Sequence, residues 1–180
     1  MRLFVAVNFP LSIKKQILGI QEQLRLQSSK GSFSRPENLH LTLIFIGETP
    51  EEKLESIFRI MEDSRCISSD VLFKHTGCFT HSHKELWWIG ADPSCRGLIL
   101  LKKLRERLLN GFLEAGFSVD KRPFNAHISL GREIRHMEPI ILDCPELWIP
   151  IDRICLMKSE RINGILTYSE LFSVNLDYEK

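Results

Sequence analysis

Two short segments gather residues suited to moving protons at phosphorus: Asn38-Leu39-His40-Leu41-Thr42-Leu43 and Asn125-Ala126-His127-Ile128-Ser129-Leu130. Successive side chains of a strand point to opposite faces. His40 and Thr42 therefore share one face, as do His127 and Ser129, while Leu39, Leu41 and Leu43, or Ala126, Ile128 and Leu130, take the other. Facing each other across a cleft, two such strands would supply a general base, a general acid and two hydroxyl donors for a phosphate, with no metal required. A single His-x-[Ser/Thr] is expected by chance in a chain with 6 His, and a half-buried histidine satisfied by a neighbouring hydroxyl is the plain structural alternative. Two copies, each set in apolar alternation and each followed by a glycine (Gly47, Gly131), carry more information.

The elements that would position these residues follow from pattern. Residues 2 to 8 read as a buried strand punctuated by Pro10, and Ile13, Ile17, Ile20 and Leu24 recur at helical spacing to about Leu26, before the loop Ser28 to Ser32. Pro36-Glu37-Asn38 opens the first motif strand, which runs to Ile46 and stops at Gly47. Thr49-Pro50-Glu51-Glu52 has the form of a helix start, with Thr49 as N-cap and Leu54, Ile57, Phe58 and Met61 on the apolar side. Val71 to Phe79 and Leu86 to Ile89 bracket a polar turn as a hairpin. Asp92-Pro93-Ser94 leads into an amphipathic helix with Leu98, Leu101, Leu104, Leu108 and Phe112 inward and Gly116 at its end. Lys121-Arg122-Pro123 precedes the second motif strand. Leu147 to Met157 and Ile165 to Val174 read as two further strands joined through Asn163-Gly164, a strong hairpin turn. The pattern predicts an α+β fold, a loose duplication in which two antiparallel sheets with outer helices surround a central cleft near a pseudo-twofold axis.

Length and composition fit one two-lobed domain spanning 1–180. With 24 Lys and Arg against 23 Asp and Glu, the net charge of +1 argues against wrapping long nucleic acid and leaves a small phosphate-bearing substrate or a single RNA end. The 5 Cys are scattered without a C-x-x-C pair, which suits free thiols in a reducing compartment, and the protein is expected in the cytoplasm. The apolar opening stops at Asn8, too soon for a secretion signal, and no run approaches the roughly 20 apolar residues of a membrane helix.

On Arg2-Leu3-Phe4-Val5-Ala6-Val7, Pro36 to Leu43 with Phe45-Ile46-Gly47-Glu48, and Phe124-Asn125-Ala126-His127-Ile128-Ser129-Leu130-Gly131-Arg132, the chain resembles the 2H phosphoesterase superfamily. Within it, the similarity is to the RNA 2′,3′-cyclic phosphodiesterases once called 2′-5′ RNA ligases. Ala126 stands where members often have Pro, and Ser129 where Thr is common; neither removes a catalytic group. The resemblance implies a bilobal α+β fold with both tetrapeptides lining one cleft, and metal-independent, cofactor-free hydrolysis of RNA 2′,3′-cyclic phosphate ends to 2′-phosphate. It implies His127 as proton acceptor from water and His40 as proton donor to the departing 3′-oxygen, an order that sequence alone does not fix. Thr42 and Ser129 would bind the phosphate oxygens. Arg132, matching a basic residue of the family pattern, would add a charge-assisted contact, its alternative being a solvated surface side chain. The expected partners are RNA ends or small 2′,3′-cyclic nucleotides, with no membrane, and the expected state is a monomer. A non-catalytic RNA- or nucleotide-binding module, and ATP-independent 2′-5′ ligation in the same cleft, are the competing readings.

The remaining candidates are weaker. His81-x-His83 could ligate a metal, but it lies in a turn with no carboxylate or Cys at ligand spacing. His75 and His136 are isolated and expected on the surface. Of Trp87 and Trp88, either of which could stack a base, one must face the core. Lys102, Lys103, Arg105 and Arg107 read as the solvated face of a helix.

Overall fold

The computed structural model describes residues 1–82 and 84–177. Its strands are β1 (Arg2–Asn8), β2 (Lys30–Phe33), β3 (His40–Glu48), β4 (Ser69–His81), β5 (Lys84–Ala91), β6 (His127–Arg135), β7 (Leu147–Ile151), β8 (Arg153–Ile162) and β9 (Ile165–Asn175), and its helices are α1 (Leu11–Gln27), α2 (Leu54–Asp63) and α3 (Arg96–Glu114). The strands form two sheets, ordered β3-β1-β8-β9 and β2-β6-β5-β4-β7, and all of their pairings are antiparallel. This is the α+β arrangement anticipated from the pattern. Each sheet nevertheless draws strands from both halves of the chain, so a sheet is not a sequence half.

Burial explains why these segments are strands. Leu3, Val5 and Val7 of β1 face the main core, while Phe4 and Ala6 join Cys155, Met157 and Tyr168 in a second cluster on the opposite face. A strand covered on both sides reads as an unbroken apolar run. The run Ile154 to Met157 has the same cause, because Ile154 and Leu156 of β8 face the main core while Cys155 and Met157 face the second cluster. Helix α1 buries Ile13, Ile17, Ile20 and Leu24 against β6, β7 and β2, α3 lies on β4 and β3, and α2 sits against α3 and β9. Gly97 is needed where α3 crosses β4: a Cβ there would come within 1.9 Å of the Asp70 carbonyl oxygen.

Several expectations need correction. The single strand expected over Leu147 to Met157 is two strands in different sheets. Leu147, Ile149 and Ile151 alternate inward beside β4, the chain crosses over at Asp152, whose carbonyl accepts the Leu176 N–H (2.7 Å), and β8 begins at Arg153. The Thr49 cap does not form. Its Oγ1 donates to the Gly47 carbonyl (3.2 Å) and its backbone pairs with Met1, so the chain first makes a 3₁₀ turn over Glu51–Lys53 and α2 starts at Leu54. The loop expected over Ser28 to Ser32 contains β2, which pairs with β6. Pro36–Asn38 is a 3₁₀ turn rather than the start of β3.

The long connection from β6 to β7 is held by two side chains of α1. Gln23 donates to the Asp143 carbonyl (3.1 Å) and accepts from its N–H (2.8 Å), and Gln27 does the same with Ile141 (2.8 and 2.9 Å). Four residues apart on the helix and two apart on the extended segment, the pairs imitate one edge of a sheet.

Candidate active site

The first motif strand sits at the edge of the four-stranded sheet. His40 Nδ1 lies 2.7 Å from the Asn38 carbonyl and Nε2 lies 2.8 Å from Thr42 Oγ1. A carbonyl oxygen only accepts, so Nδ1 carries the proton, and the Nε2 lone pair of the neutral ring accepts from the Thr42 hydroxyl. The ring rests on the second apolar cluster: Phe4 is 5.0 Å away and Tyr168 meets it edge-on at 5.3 Å and 86°. Asn38 is itself tied to β9, its side-chain amide donating to the Leu166 carbonyl (2.9 Å).

The second motif repeats the first. His127 Nδ1 donates to the Asn125 carbonyl (2.8 Å), which fixes the same tautomer. Behind it, the buried Gln21 amide donates to the carbonyls of Ser34 (2.8 Å) and Leu130 (2.7 Å), and Ser34 Oγ donates to the Ser129 carbonyl (2.8 Å). This network holds the strand from its core side.

Strict alternation would put Arg132, five residues after His127, on the wrong face. The register shows why it is not. Trp88 pairs with Ser129 but Trp87 pairs with Gly131, leaving Leu130 as an extra residue, and Leu86 then pairs with Arg132. Such a bulge reverses the alternation, so Arg132 shares the face of His127 and Ser129. A second bulge leaves Glu133 unpaired at φ 53°. Strand β3 is interrupted at the same offsets, with Leu43 and Ile46 extra against β1, so that Phe45 shares the face of His40 and Thr42.

Burial pushes His40 down to about 4, opposed by its bond to the Asn38 carbonyl and reinforced by the charges of Arg132, Lys14 and His127. Burial also lowers His127, again opposed by its backbone bond and reinforced by Arg132. Arg132 thus acts on both imidazoles. Lys14, on the first turn of α1, is a cation the sequence reading passed over. Its Nζ donates to the Glu37 carbonyl (3.3 Å) beside the first motif, and burial lowers its pKa.

Other candidates separate clearly. His75 is exposed and His81 is exposed, while His83 lies outside the described residues. Among the described residues no three His, Cys, Asp or Glu side chains are grouped to hold a metal ion. His136 is not on the open surface as expected. It is half-buried between the Glu138 carbonyl (2.9 Å) and Glu85 Oε2 (3.1 Å), and Glu85 also accepts from Trp87 Nε1 (2.8 Å). Trp87 packs on the core and Trp88 faces His127, as strand geometry demands. Arg105 does more than face solvent, for its guanidinium donates to the carbonyls of Asp120 (3.0 Å) and Arg122 (3.3 Å) ahead of β6. Tyr168 and Phe79 also flank the histidines. Their signal in the sequence was only that of aromatic residues on strands, and it did not point to the site.

Two antiparallel sheets, each presenting a His-x-hydroxyl strand with its histidine held on the carbonyl two residues earlier, define a 2H phosphoesterase. The chain belongs to the LigT-like phosphoesterase family, whose model matches residues 7–88. The RNA 2′,3′-cyclic phosphodiesterase of Methanocaldococcus jannaschii is 34% identical over 134 residues, covering 73% of this chain and 71% of that one. The RNA 2′,3′-cyclic phosphodiesterase of Escherichia coli is 30% identical over 135 residues, covering 73% and 72%. Among solved structures, E. coli LigT complexed with 3′-AMP superimposes with a TM-score of 0.78 at 26% identity over 97% of both chains. TT0787 of Thermus thermophilus superimposes with a TM-score of 0.78 at 27% identity over 100% of both. No helix among the described residues is long and apolar enough to cross a membrane.

Proposed function

We propose that this phosphoesterase hydrolyses 2′,3′-cyclic phosphate ends of RNA to 2′-phosphates, with His40 and His127 as its proton carriers. The observation that carries the reading is the matched pair of imidazoles, each with Nδ1 committed to a main-chain carbonyl (2.7 and 2.8 Å), so that Nε2 is the one nitrogen of each ring able to exchange a proton with a substrate. A binding module needs donors for phosphate but has no use for two rings locked in the same tautomer. The complex of E. coli LigT with 3′-AMP supports a nucleotide as the ligand.

In this mechanism His127 Nε2 takes a proton from water as the new P–O bond forms. The bond from phosphorus to the 3′-oxygen breaks, and His40, protonated at Nε2, gives its proton to that oxygen. Thr42 and Ser129 donate to the non-bridging oxygens, and Arg132 offsets their charge. The product is a 2′-phosphate beside a free 3′-hydroxyl, and exchange with water resets both rings.

The test is product identity. The purified protein, incubated with an oligoribonucleotide 2′,3′-cyclic phosphate in EDTA, is expected to release only 2′-phosphate ends. A 3′-phosphate product would reverse the assignment of the broken bond, and no turnover would leave the binding-module reading.

A further inference from the structure

Resting on the phosphate contact that this mechanism gives Arg132, we propose that Gln21 is a positioning residue: by gripping the carbonyl of the bulged residue Leu130, it aims Arg132 at the reacting phosphate. Helix α1 buries Ile13, Ile17, Ile20, Gln21 and Leu24, and Gln21 is the one polar member of that stripe, only 4% exposed. A leucine would complete the stripe. A buried amide costs stability unless its hydrogens are paired, so the reason for a glutamine lies in what it holds.

Both hydrogens of its amide go to one junction. The Gln21 amide donates to the Ser34 carbonyl (2.8 Å), just past the end of β2, and to the Leu130 carbonyl (2.7 Å) of β6. The Ser34 N–H donates to the same Leu130 oxygen (2.9 Å), which thereby has both lone pairs engaged.

Leu130 is the residue that the pairing of β6 with β5 skips, since Trp88 pairs with Ser129 and Trp87 with Gly131. Leu130 and Gly131 consequently face the core in succession. The second of these places is tight: a Cβ at Gly131 would stand 2.9 Å from Ile134 Cδ1 and 3.3 Å from Phe33 Cδ1. Were Leu130 to pair with Trp87 instead, Gly131 would turn to the site and Arg132 to the core. The charge of Arg132 resists burial there, but aversion to the core does not aim a guanidinium. A carbonyl fixed two residues earlier does, and Gln21 fixes it from a helix outside the sheet.

The experiment pairs steady-state kinetics on a 2′,3′-cyclic nucleotide with NMR titration of the histidines, a readout that packing alone does not move. Burial lowers His127 and the charge of Arg132 adds to it, so a misaimed Arg132 lets His127 rise; His40 also feels Lys14 and His127 and reports less directly. Gln21→Met, equal in length and without a donor, is expected to raise His127. It should also lower kcat/KM about 10–100-fold, the cost of a misplacement of about 1 Å. In the Arg132→Gln background it is expected to do neither. Gln21→Asn, one methylene too short to reach both carbonyls, repeats the comparison if Gln21→Met does not fold. Losses that multiply in the double variant, or a rise of His127 equal in both backgrounds, would overturn the proposal, because Gln21 would then support the strand as a whole. Full activity with unmoved histidines in the Gln21 variants would overturn it as well. If Arg132→Gln by itself changes neither kcat/KM nor His127, the role of Arg132 falls and this one with it. Wild-type protein without turnover would sink the hydrolytic reading, while the titrations would still decide whether Gln21 aims Arg132.

Discussion

The hydroxyl of Thr42 donates to Nε2 of His40 at 2.8 Å, and so occupies the lone pair that must carry a proton before the ring can act as an acid. The bond is a resting arrangement. When His40 is protonated, Nε2 becomes a donor and the Thr42 hydroxyl is released from it, free for the phosphate contact that the proposed mechanism gives it.

Substitution at Thr42 tests that exchange. Thr42→Val keeps the shape and removes the donor, and is expected to reduce kcat about 10²–10³-fold, as for other lost donors to a developing anion. Thr42→Ser should retain most of the activity. Equal loss in both variants, measured by steady-state kinetics on a cyclic nucleotide, would mean that packing rather than the hydroxyl matters.

Each histidine should be worth about 10²–10⁴-fold in rate. His40→Ala and His127→Ala are expected to fall in that range, and the double variant to lose far less than the product of the two, because the pair acts as one unit. Multiplicative losses in kcat would contradict a shared transition state.

The pH profile of kcat/KM reports the free enzyme. With His40 at about 4 and His127 below its ordinary value, both limbs of the bell lie on the acidic side of about 6.5, the reference value for histidine. Lys14→Gln removes a charge that lowers His40, and should move the lower limb upward alone. Arg132→Gln removes a charge that lowers both rings, and should move both limbs upward. An optimum above pH 7, or limbs that ignore both substitutions, would contradict this electrostatic account.

Stability should follow the same burial. His40 titrates near 6.5 when unfolded and at about 4 when folded, so between those values the unfolded chain binds more protons. The contribution is complete above about 6.5 and is lost as pH falls toward about 4. Urea unfolding of wild type and His40→Gln should show a steeper decline in wild type across that window, and parallel declines would refute it.

The Gln23 and Gln27 pairs make a mechanical prediction. Each supplies two hydrogen bonds to the β6–β7 connection, and a net hydrogen bond is worth about 0.5–1.5 kcal/mol. Gln23→Ala with Gln27→Ala should lower stability by about 2 kcal/mol or more and speed proteolysis near Ile141, with kcat little changed. Unaltered cleavage there would show that the connection is held by other contacts.

Much of this was legible in the residues. The two His-x-hydroxyl strands, the apolar stripes of α1 and α3, and the Asn163-Gly164 turn, with φ of 51° and 80°, all obey local rules. What escaped depends on pairing partners. The crossing at Asp152 is visible only as a change from alternation before it to an unbroken run after it, which local reading merges into one strand. Thr49 looked like a cap because its competing partners, Met1 and Gly47, are not its helix neighbours. The approach of Lys14 to the first motif, and of Tyr168 to His40, joins residues far apart in sequence with no periodic signature.

The interruptions in β3 and β6 fall at matching places, yet the fifth residue after the histidine is Phe45 in one and Arg132 in the other. Two imidazoles of like build are thereby given unlike company, a 56% exposed phenyl ring at one end and a guanidinium at the other. A cyclic phosphodiester carries one negative charge and has reason to settle toward the cation in a single orientation. That polarity, set by which side chain stands at the matching place in each strand rather than by either histidine, would give the two rings a basis for the different jobs proposed for them.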